Sequence, residues 1–123
     1  MTPDATRRIV EAYFKAWTHN QVEEAFQLLA DNLEFAGPTA LYKSAAEFKP
    51  ALVNFASLAK NAHIVEFLVD GNKASMLYDV ELPEPVGKLR IASFMWVEGG
   101  KIRKYDTRFD ATELRKLLAR KSG

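Results

Sequence analysis

The sequence has no cysteine and only two histidines among its 123 residues. The absence of cysteine excludes disulfides, thiol catalysis and thiolate metal sites. The histidines, His19 and His63, lie far apart without a recognised ligand spacing, and no glycine-rich phosphate loop is present. The sequence therefore predicts neither a metal site nor a cofactor.

Charges of the two signs nearly balance, with a formal net charge of +1, so nothing in the electrostatics favours a nucleic-acid partner. The only basic cluster is near the end of the chain, and we interpret it as the solvated side of a terminal helix: Arg115, Lys116, Arg120 and Lys121. No apolar run is long enough to cross a bilayer, and charged residues interrupt any signal-like segment at the N-terminus. We therefore expect a cytoplasmic protein without a membrane partner.

Apolar residues are plentiful, at 48% of the chain with 11% aromatic, which suffices for the core of one domain over residues 1–123. Apolar residues recur at helical spacing from Ile9 to Trp17, after a cap-like Thr2 and a proline, and predict a first helix. A capping-box spacing at Asn20 predicts a second helix that runs to about Ala30.

A short strand is predicted at residues 33–36, before Gly37-Pro38. A better capping box begins at Ser44 and predicts a third helix, in which Pro50 is expected to cause a kink or to mark a restart in the first turn. A last helix is predicted after Asp110, with three leucines facing inward: Leu114, Leu117 and Leu118.

After Asn61 the apolar pattern changes from helical to alternating, and four strands are predicted: His63–Val69, Lys73–Leu82, Leu89–Glu98 and Lys101–Phe109. Helices segregated from an antiparallel sheet indicate the α+β class. Gly99-Gly100 is predicted to form a two-residue hairpin turn. With that turn and no bulge, Trp96 lies opposite Arg103 and Phe94 opposite Tyr105, so that Phe94 and Trp96 join the covered face.

The other hairpin, with Gly71-Asn72 as its loop, puts Val65 opposite Tyr78 and His63 opposite Val80. In this register Asp79 faces outward, and a slip of one residue would turn it inward. Four residues of the third strand stay unassigned between the covered and the outer face: Ile91, Ser93, Met95 and Val97. On the outer face they would form an apolar strip that needs a partner, and a homodimer would follow.

Met1 to about Leu118 resembles the SnoaL-like members of the nuclear transport factor 2-like superfamily. The resemblance rests on the Tyr13–Trp17 helix, on Ala30-Asp31 ahead of a short strand ending in Gly37-Pro38, and on the segment 98–110 with its Gly-Gly turn. It implies a cystatin-like, cone-shaped roll, in which helices pack on a curved, mostly antiparallel sheet. It also implies an open end that admits a small hydrophobic molecule, and a homodimer formed through the outer sheet face.

Relatives of this kind are ketosteroid isomerase and limonene epoxide hydrolase. Against the first, Tyr13 matches the oxyanion tyrosine, but the base falls on Gly37 and the second acid on Ala92 or Ser93. Against the second, most catalytic positions hold other residue types: Phe35, Gly37, Thr107, and either Leu77 with Asp79 or Tyr78 with Val80. The resemblance therefore implies the fold without either known catalytic constellation.

Seven residues are predicted to line the binding site: Tyr13, Trp17, Phe35, Tyr78, Trp96, Tyr105 and Thr107. His63, on the same face as Tyr78 in the register above, is a candidate acid or base, or a structural histidine bonded to a backbone carbonyl. Asp79 is a candidate base if it turns inward. The favoured hypothesis is a protein that binds a small apolar molecule. The alternative is a cofactor-free isomerase, cyclase or hydrolase that acts on an oxygen-bearing hydrophobic compound.

Overall fold

The computed structural model describes residues 2–122, apart from the side chains of residues 117, 118 and 120–122. The predicted inward orientation of Leu117 and Leu118, and the predicted exposure of Arg120 and Lys121, fall outside the described side chains. Within the described residues the elements are α1 (Pro3–Thr18), α2 (Val22–Gln27), β1 (Leu29–Ala36), β2 (Leu41–Tyr42), α3 (Ala45–Leu58), β3 (Lys60–Asp70), β4 (Lys73–Leu82), β5 (Gly87–Glu98), β6 (Lys101–Arg108) and α4 (Thr112–Ser122).

The strands form one curved, open sheet in the order β2-β1-β6-β5-β4-β3. β1 runs parallel to β6, whereas the other neighbouring strands are antiparallel. Helix α1 packs against β3, β4 and β6, and α3 packs against β1 and β2. The predicted α+β class, with helices on a curved and mostly antiparallel sheet, is confirmed.

Side-chain caps begin two of the helices as the sequence predicts. The Thr2 hydroxyl accepts a hydrogen bond from the Ala5 amide at 3.1 Å, and the Ser44 hydroxyl accepts one from the Glu47 amide at 3.1 Å. Helix α3 continues from Ala45 to Leu58 with Pro50 inside it, so the predicted restart at Pro50 is wrong.

The second helix differs from its prediction. Its N-cap is Gln21, without a side-chain cap, and the predicted capping residue Asn20 has a φ of 58° outside the helix. The helix ends at Gln27 because the chain enters β1 at Leu29, four residues before the predicted strand. The helical sequence pattern extends to Ala30, but pairing of this segment with β6 overrides it.

The hairpin between β5 and β6 has the predicted turn. Gly99 and Gly100 adopt φ angles of 57° and 82°, which a side chain would disfavour. Val97 lies opposite Ile102 as predicted, and both side chains are buried on the inner face of the sheet, the face covered by the helices.

A bulge at Arg103 then shifts the register of this hairpin. Trp96 lies opposite Lys104 and Phe94 lies opposite Asp106, so the predicted pairs with Arg103 and Tyr105 are wrong. One extra residue on β6 exchanges the partners of every following position. Phe94 and Trp96 are consequently on the outer face, the side of the sheet away from the helices.

The same shift settles the four positions of β5 that the sequence left open. Ile91, Ser93, Met95 and Val97 alternate with exposed or half-buried residues, and all four are buried on the inner face. They continue the covered row that includes Tyr105 and Thr107 on β6 and Met76, Tyr78, Val80 and Leu82 on β4. The core is therefore the layer between this face and the helices.

A second bulge lies at Val65 in β3. Phe67 pairs with Met76 as predicted, but beyond the bulge Ile64 pairs with Tyr78 and His63 pairs with Asp79. The predicted pairs of Val65 with Tyr78 and of His63 with Val80 are wrong for that reason. Asp79 keeps the outward orientation of the preferred register.

Candidate functional site

A cavity of about 460 Å³ lies between α3 and the inner face of the sheet. Its wall is formed by inward-facing side chains of β1, β4, β5 and β6, by one side of α3, and by the loop after β1. The lining residues are Trp17, Phe35, Gly37, Pro38, Thr39, Ala40, Tyr42, Glu47, Phe48, Pro50, Ala51, Leu52, Asn54, Phe55, Leu58, Tyr78, Ile91, Tyr105, Thr107, Phe109 and Leu114. The volume lies within the range that small organic ligands occupy in proteins.

Aromatic rings that pack on one another form much of this wall. Phe35 from β1 stacks on Phe48 from α3 with ring centroids 4.3 Å apart, and meets Tyr105 edge-on at 5.0 Å. On the other side Trp17 of α1 contacts Tyr78 at 5.9 Å. Contacts among rings from five elements hold these side chains in place, so the apolar wall is formed without a ligand.

Three hydroxyls on neighbouring strands lie at or beside the wall. Tyr78 on β4 lies 3.2 Å from the Ser93 hydroxyl on β5, which lies 2.6 Å from the Thr107 hydroxyl on β6. Thr107 can also donate to the carbonyl of Ala92, at 3.4 Å. Inward alternation on three adjacent strands brings these side chains together as a hydroxyl chain of Tyr78, Ser93 and Thr107.

Tyr13 stands behind the cavity wall. Its ring is fully buried and meets the ring of Tyr105 edge-on at 5.6 Å, and its hydroxyl has no hydrogen-bond partner among the described residues. Burial raises the pKa of Tyr13, Tyr78 and Tyr105 above the ordinary value of tyrosine. All three phenols are therefore neutral at physiological pH.

Of the seven side chains predicted to line the site, five line the cavity: Trp17, Phe35, Tyr78, Tyr105 and Thr107. Tyr13 lies in the layer behind them. Ser93 was left open by the sequence, and Phe48 and Phe55 were not predicted to line the site, although the structure places all three at or beside the cavity. The available signal for Ser93 was its position two residues from both Ile91 and Met95, which puts the three side chains on one face of β5.

Trp96 does not line the cavity. It lies on the outer face, half-buried, with the Lys104 ammonium 5.3 Å from its ring centroid. The prediction that Trp96 lines the site is therefore wrong, because the extra residue at Arg103 shifts the register of the hairpin.

The two candidate catalytic residues also lie on the outer face. His63 is exposed at the start of β3, and its strand partner is Asp79. The Asp79 carboxylate accepts two hydrogen bonds from Arg90, at 2.8 Å and 3.0 Å, and Lys88 lies 3.8 Å away. The prediction that His63 and Tyr78 share a face is therefore wrong. The sheet separates both candidate catalytic residues, His63 and Asp79, from the cavity.

The hydrogen bonds from Arg90 lower the pKa of the Asp79 carboxyl below its ordinary value, against an opposing effect of partial burial. A carboxylate that is held ionised by a bidentate arginine is a poor proton acceptor at neutral pH. Asp79 thus has the environment of a structural ion pair.

Within residues 2–122, the described acidic and histidine side chains nowhere gather in threes that could hold a metal ion. None of the described helices combines the length and the apolar character needed to span a membrane.

The sequence model of the SnoaL-like domain family matches residues 10–105. A protein from Kribbella flavida DSM 17836 has a similar structure, with a TM-score of 0.84 at 24% identity over 99% of this chain and 98% of that one. An NTF2-like protein of unknown function from Cytophaga hutchinsonii ATCC 33406 gives a TM-score of 0.77 at 19% identity, over 92% of this chain and 94% of that one.

An LEH-like epoxide hydrolase from M. tuberculosis gives a TM-score of 0.75 at 17% identity, over 96% of this chain and 92% of that one. Likeness at such low identity shows the fold alone. None of the curated proteins has a significantly similar sequence. The family match and the shared fold confirm the resemblance that the sequence suggested.

Proposed function

The chain belongs to the SnoaL-like domain family, and on that premise we propose that its cavity binds a small, mostly apolar molecule without transforming it. The observation that carries the proposal is the aromatic cavity of about 460 Å³, whose wall includes Tyr78 and Thr107 of one hydroxyl chain. Apolar walls supply the affinity by removing ligand surface from water, and the few polar groups fix its orientation. The proposed location of the protein is the cytoplasm.

Catalysis is the second candidate, and the similar epoxide hydrolase structure is the observation in its favour. Against it, the described lining residues include neither histidine nor aspartate, and the one lining carboxylate, Glu47, is exposed. The position that resembles the isomerase base is Gly37, where a Cβ would lie 3.0 Å from the ring of Phe35. Phe35 fills the space that a catalytic side chain would need, so binding without chemistry is favoured.

The proposal is tested with N-phenyl-1-naphthylamine, a neutral apolar dye whose emission rises in apolar surroundings. We expect a saturable rise in dye emission with one dye per chain. Because Trp17 lines the cavity, Trp96→Phe leaves one tryptophan beside the proposed site. The emission of Trp17 in this variant should be quenched by energy transfer to the bound dye, and the quenching should saturate at one dye per chain.

An unsaturable titration, or unchanged emission of Trp17, would contradict binding in the cavity. Circular dichroism of Trp96→Phe, compared with the unaltered chain, controls for loss of fold.

The proposal includes a homodimer formed through the outer face. Ser75 on β4 pairs with Leu68 on one side and with Phe94 on the other, and these two side chains are 57% and 43% exposed. Trp96 and Leu77 are half-buried on the same face. An exposed apolar strip of this kind is typical of an interaction surface.

A second copy is the occupant that the charges favour. The outer face carries acidic and basic side chains along the strip, including Asp106 opposite Phe94 and Arg108 two residues further on. A face that holds both signs can pair with itself about a twofold axis, because ion pairs within each copy, such as Asp106 with Arg108, limit the repulsion between two like surfaces.

Sedimentation velocity at micromolar concentration should give a dimer for the unaltered chain and a monomer for Phe94→Lys. The matched control is Val53→Lys, which places the same charge at an exposed valine of α3 and should remain a dimer. A monomer for the unaltered chain would remove the interface.

A further inference from the structure

The charge of the cavity wall indicates which ligands the protein accepts. Among the described residues that line it, none is lysine, arginine or histidine. Arg115 of α4 is exposed and donates a hydrogen bond to the carbonyl of the lining residue Pro38 at 2.7 Å. Its charge is in contact with water and directed at the loop after β1. A buried anion would therefore find no partner in the wall.

Among the described lining residues the one charged group is the Glu47 carboxylate, which is itself unfavourable for an anion. Glu47 lies in the first turn of α3, where it accepts a hydrogen bond from the Lys43 amide at 3.3 Å. An exposed carboxylate in the lining repels an incoming anion. The described part of the wall thus lacks a cation and includes an acidic group.

The buried hydroxyls offer neutral hydrogen-bonding groups instead. In the hydroxyl chain of Tyr78, Ser93 and Thr107, either oxygen of each pair can be the donor. If Thr107 donates to the Ala92 carbonyl, protons are directed away from Tyr78, whose oxygen can then accept from a ligand hydroxyl or amide. If the order is reversed, Thr107 donates to Ser93, Ser93 to Tyr78, and the Tyr78 proton can reach a ligand carbonyl.

Both orientations keep every oxygen neutral. The only phenol of the chain is Tyr78, and burial raises its pKa further above the ordinary value of tyrosine, so it is neutral at physiological pH. An alcohol, a ketone or an amide can accordingly hydrogen-bond in one orientation or the other. A carboxylate can receive at most weak neutral donors in exchange for its water shell, which is an unfavourable exchange in an apolar site.

We propose that the cavity selects neutral ligands that carry one hydroxyl, carbonyl or amide group at an otherwise apolar body, and that it rejects the corresponding carboxylates. The hydroxyl chain of Tyr78, Ser93 and Thr107 receives the polar group. This inference rests on the proposed function and defines the ligand class of the same site.

Three naphthalene derivatives of similar size separate the possibilities: 2-naphthamide, 2-naphthoate and unsubstituted naphthalene. The amide and the carboxylate have nearly the same shape and differ in charge. In calorimetric titration of the full chain at pH 7, 2-naphthamide should bind at least about tenfold more tightly than 2-naphthoate, the effect of one buried polar group left without an adequate partner. It should also bind more tightly than naphthalene.

Tyr78→Phe removes the hydroxyl at one end of the chain and retains the ring. In this variant the ratio of naphthamide to naphthalene affinity should fall towards one, with an unchanged circular dichroism spectrum. Should the variant not fold, the comparison of amide and carboxylate on the unaltered chain still decides the question.

Equal or tighter binding of 2-naphthoate would overturn the selectivity and leave the proposed binding function intact. A naphthamide preference over naphthalene that persists in Tyr78→Phe would overturn the role of the hydroxyl chain. If neither naphthamide nor naphthalene binds, the proposed function itself fails, and the inference fails with it.

Discussion

Replacing Ala51 by phenylalanine is expected to weaken binding of N-phenyl-1-naphthylamine by at least about tenfold, or 1.4 kcal/mol. Ala51 is half-buried on the side of α3 that lines the cavity, one turn before the aromatic residue Phe55. An added benzyl ring at this position occupies volume that the ligand needs. The measurement is a dye titration followed by the emission of the dye itself.

The matched control is Ala46→Phe on the same helix. Ala46 is exposed and does not line the cavity, so this variant should bind the dye as tightly as the unaltered chain. Unchanged affinity in a folded Ala51→Phe would mean that the dye binds elsewhere. An equal loss in both variants would point to a general effect of phenylalanine on α3.

The second large effect concerns the core beside the hairpin. Ile102→Ala should lower the free energy of unfolding by about 2–5 kcal/mol, because it removes buried methyl groups and leaves a void. Ile102 is fully buried, lies opposite Val97, and its amide donates to the carbonyl of Leu28 at 2.8 Å. The free energy of unfolding of a domain is typically about 5–15 kcal/mol, so such a loss is a large part of the total.

Urea unfolding followed by circular dichroism measures this loss. Ile64→Ala is the matched control, since it makes the same change at a residue that is 37% exposed on β3. Its expected cost is about 1 kcal/mol or less. Similar losses in the two variants would contradict the assignment of Ile102 to the core.

The starts of α1 and α3 and the turn between β5 and β6 were predictable because their signals are local. Thr2 and Ser44 form caps through hydrogen bonds within three residues, and the Gly99-Gly100 turn depends on two backbone angles. The alternation of apolar and polar residues also predicted the bounds of β4, Lys73–Leu82, since burial of one face leaves a period of two in the sequence.

The register beyond the bulges could not be predicted. The insertions at Arg103 and Val65 leave no residue signature, yet each one exchanges every pair that follows it. As a result, Trp96 lies on the outer face and not on the expected cavity wall, and His63 lies opposite Asp79. Errors about the site thus came from tertiary register and not from residue chemistry.

The aromatic part of the site was largely accessible from the sequence, with the resemblance as a guide. Trp17, Phe35 and Tyr105 line the cavity as expected. The contribution of α3 through Phe48 and Phe55 was not foreseen, because apolar residues at helical spacing do not distinguish a packed core from a cavity wall. The Tyr13 hydroxyl has no hydrogen-bond partner among the described residues. This also depends on the tertiary surroundings of the side chain, which no local sequence pattern predicts.

The account depends most on where a ligand binds, and a crystal structure of the full chain with 2-naphthol tests this most directly. We predict electron density for the naphthalene rings inside the cavity between α3 and the sheet, in contact with Trp17 and Phe48. The naphthol oxygen should lie within hydrogen-bond distance of the hydroxyl of Tyr78 or Thr107. A cavity filled by rearranged side chains, with 2-naphthol absent or bound only to the outer face, would contradict the account.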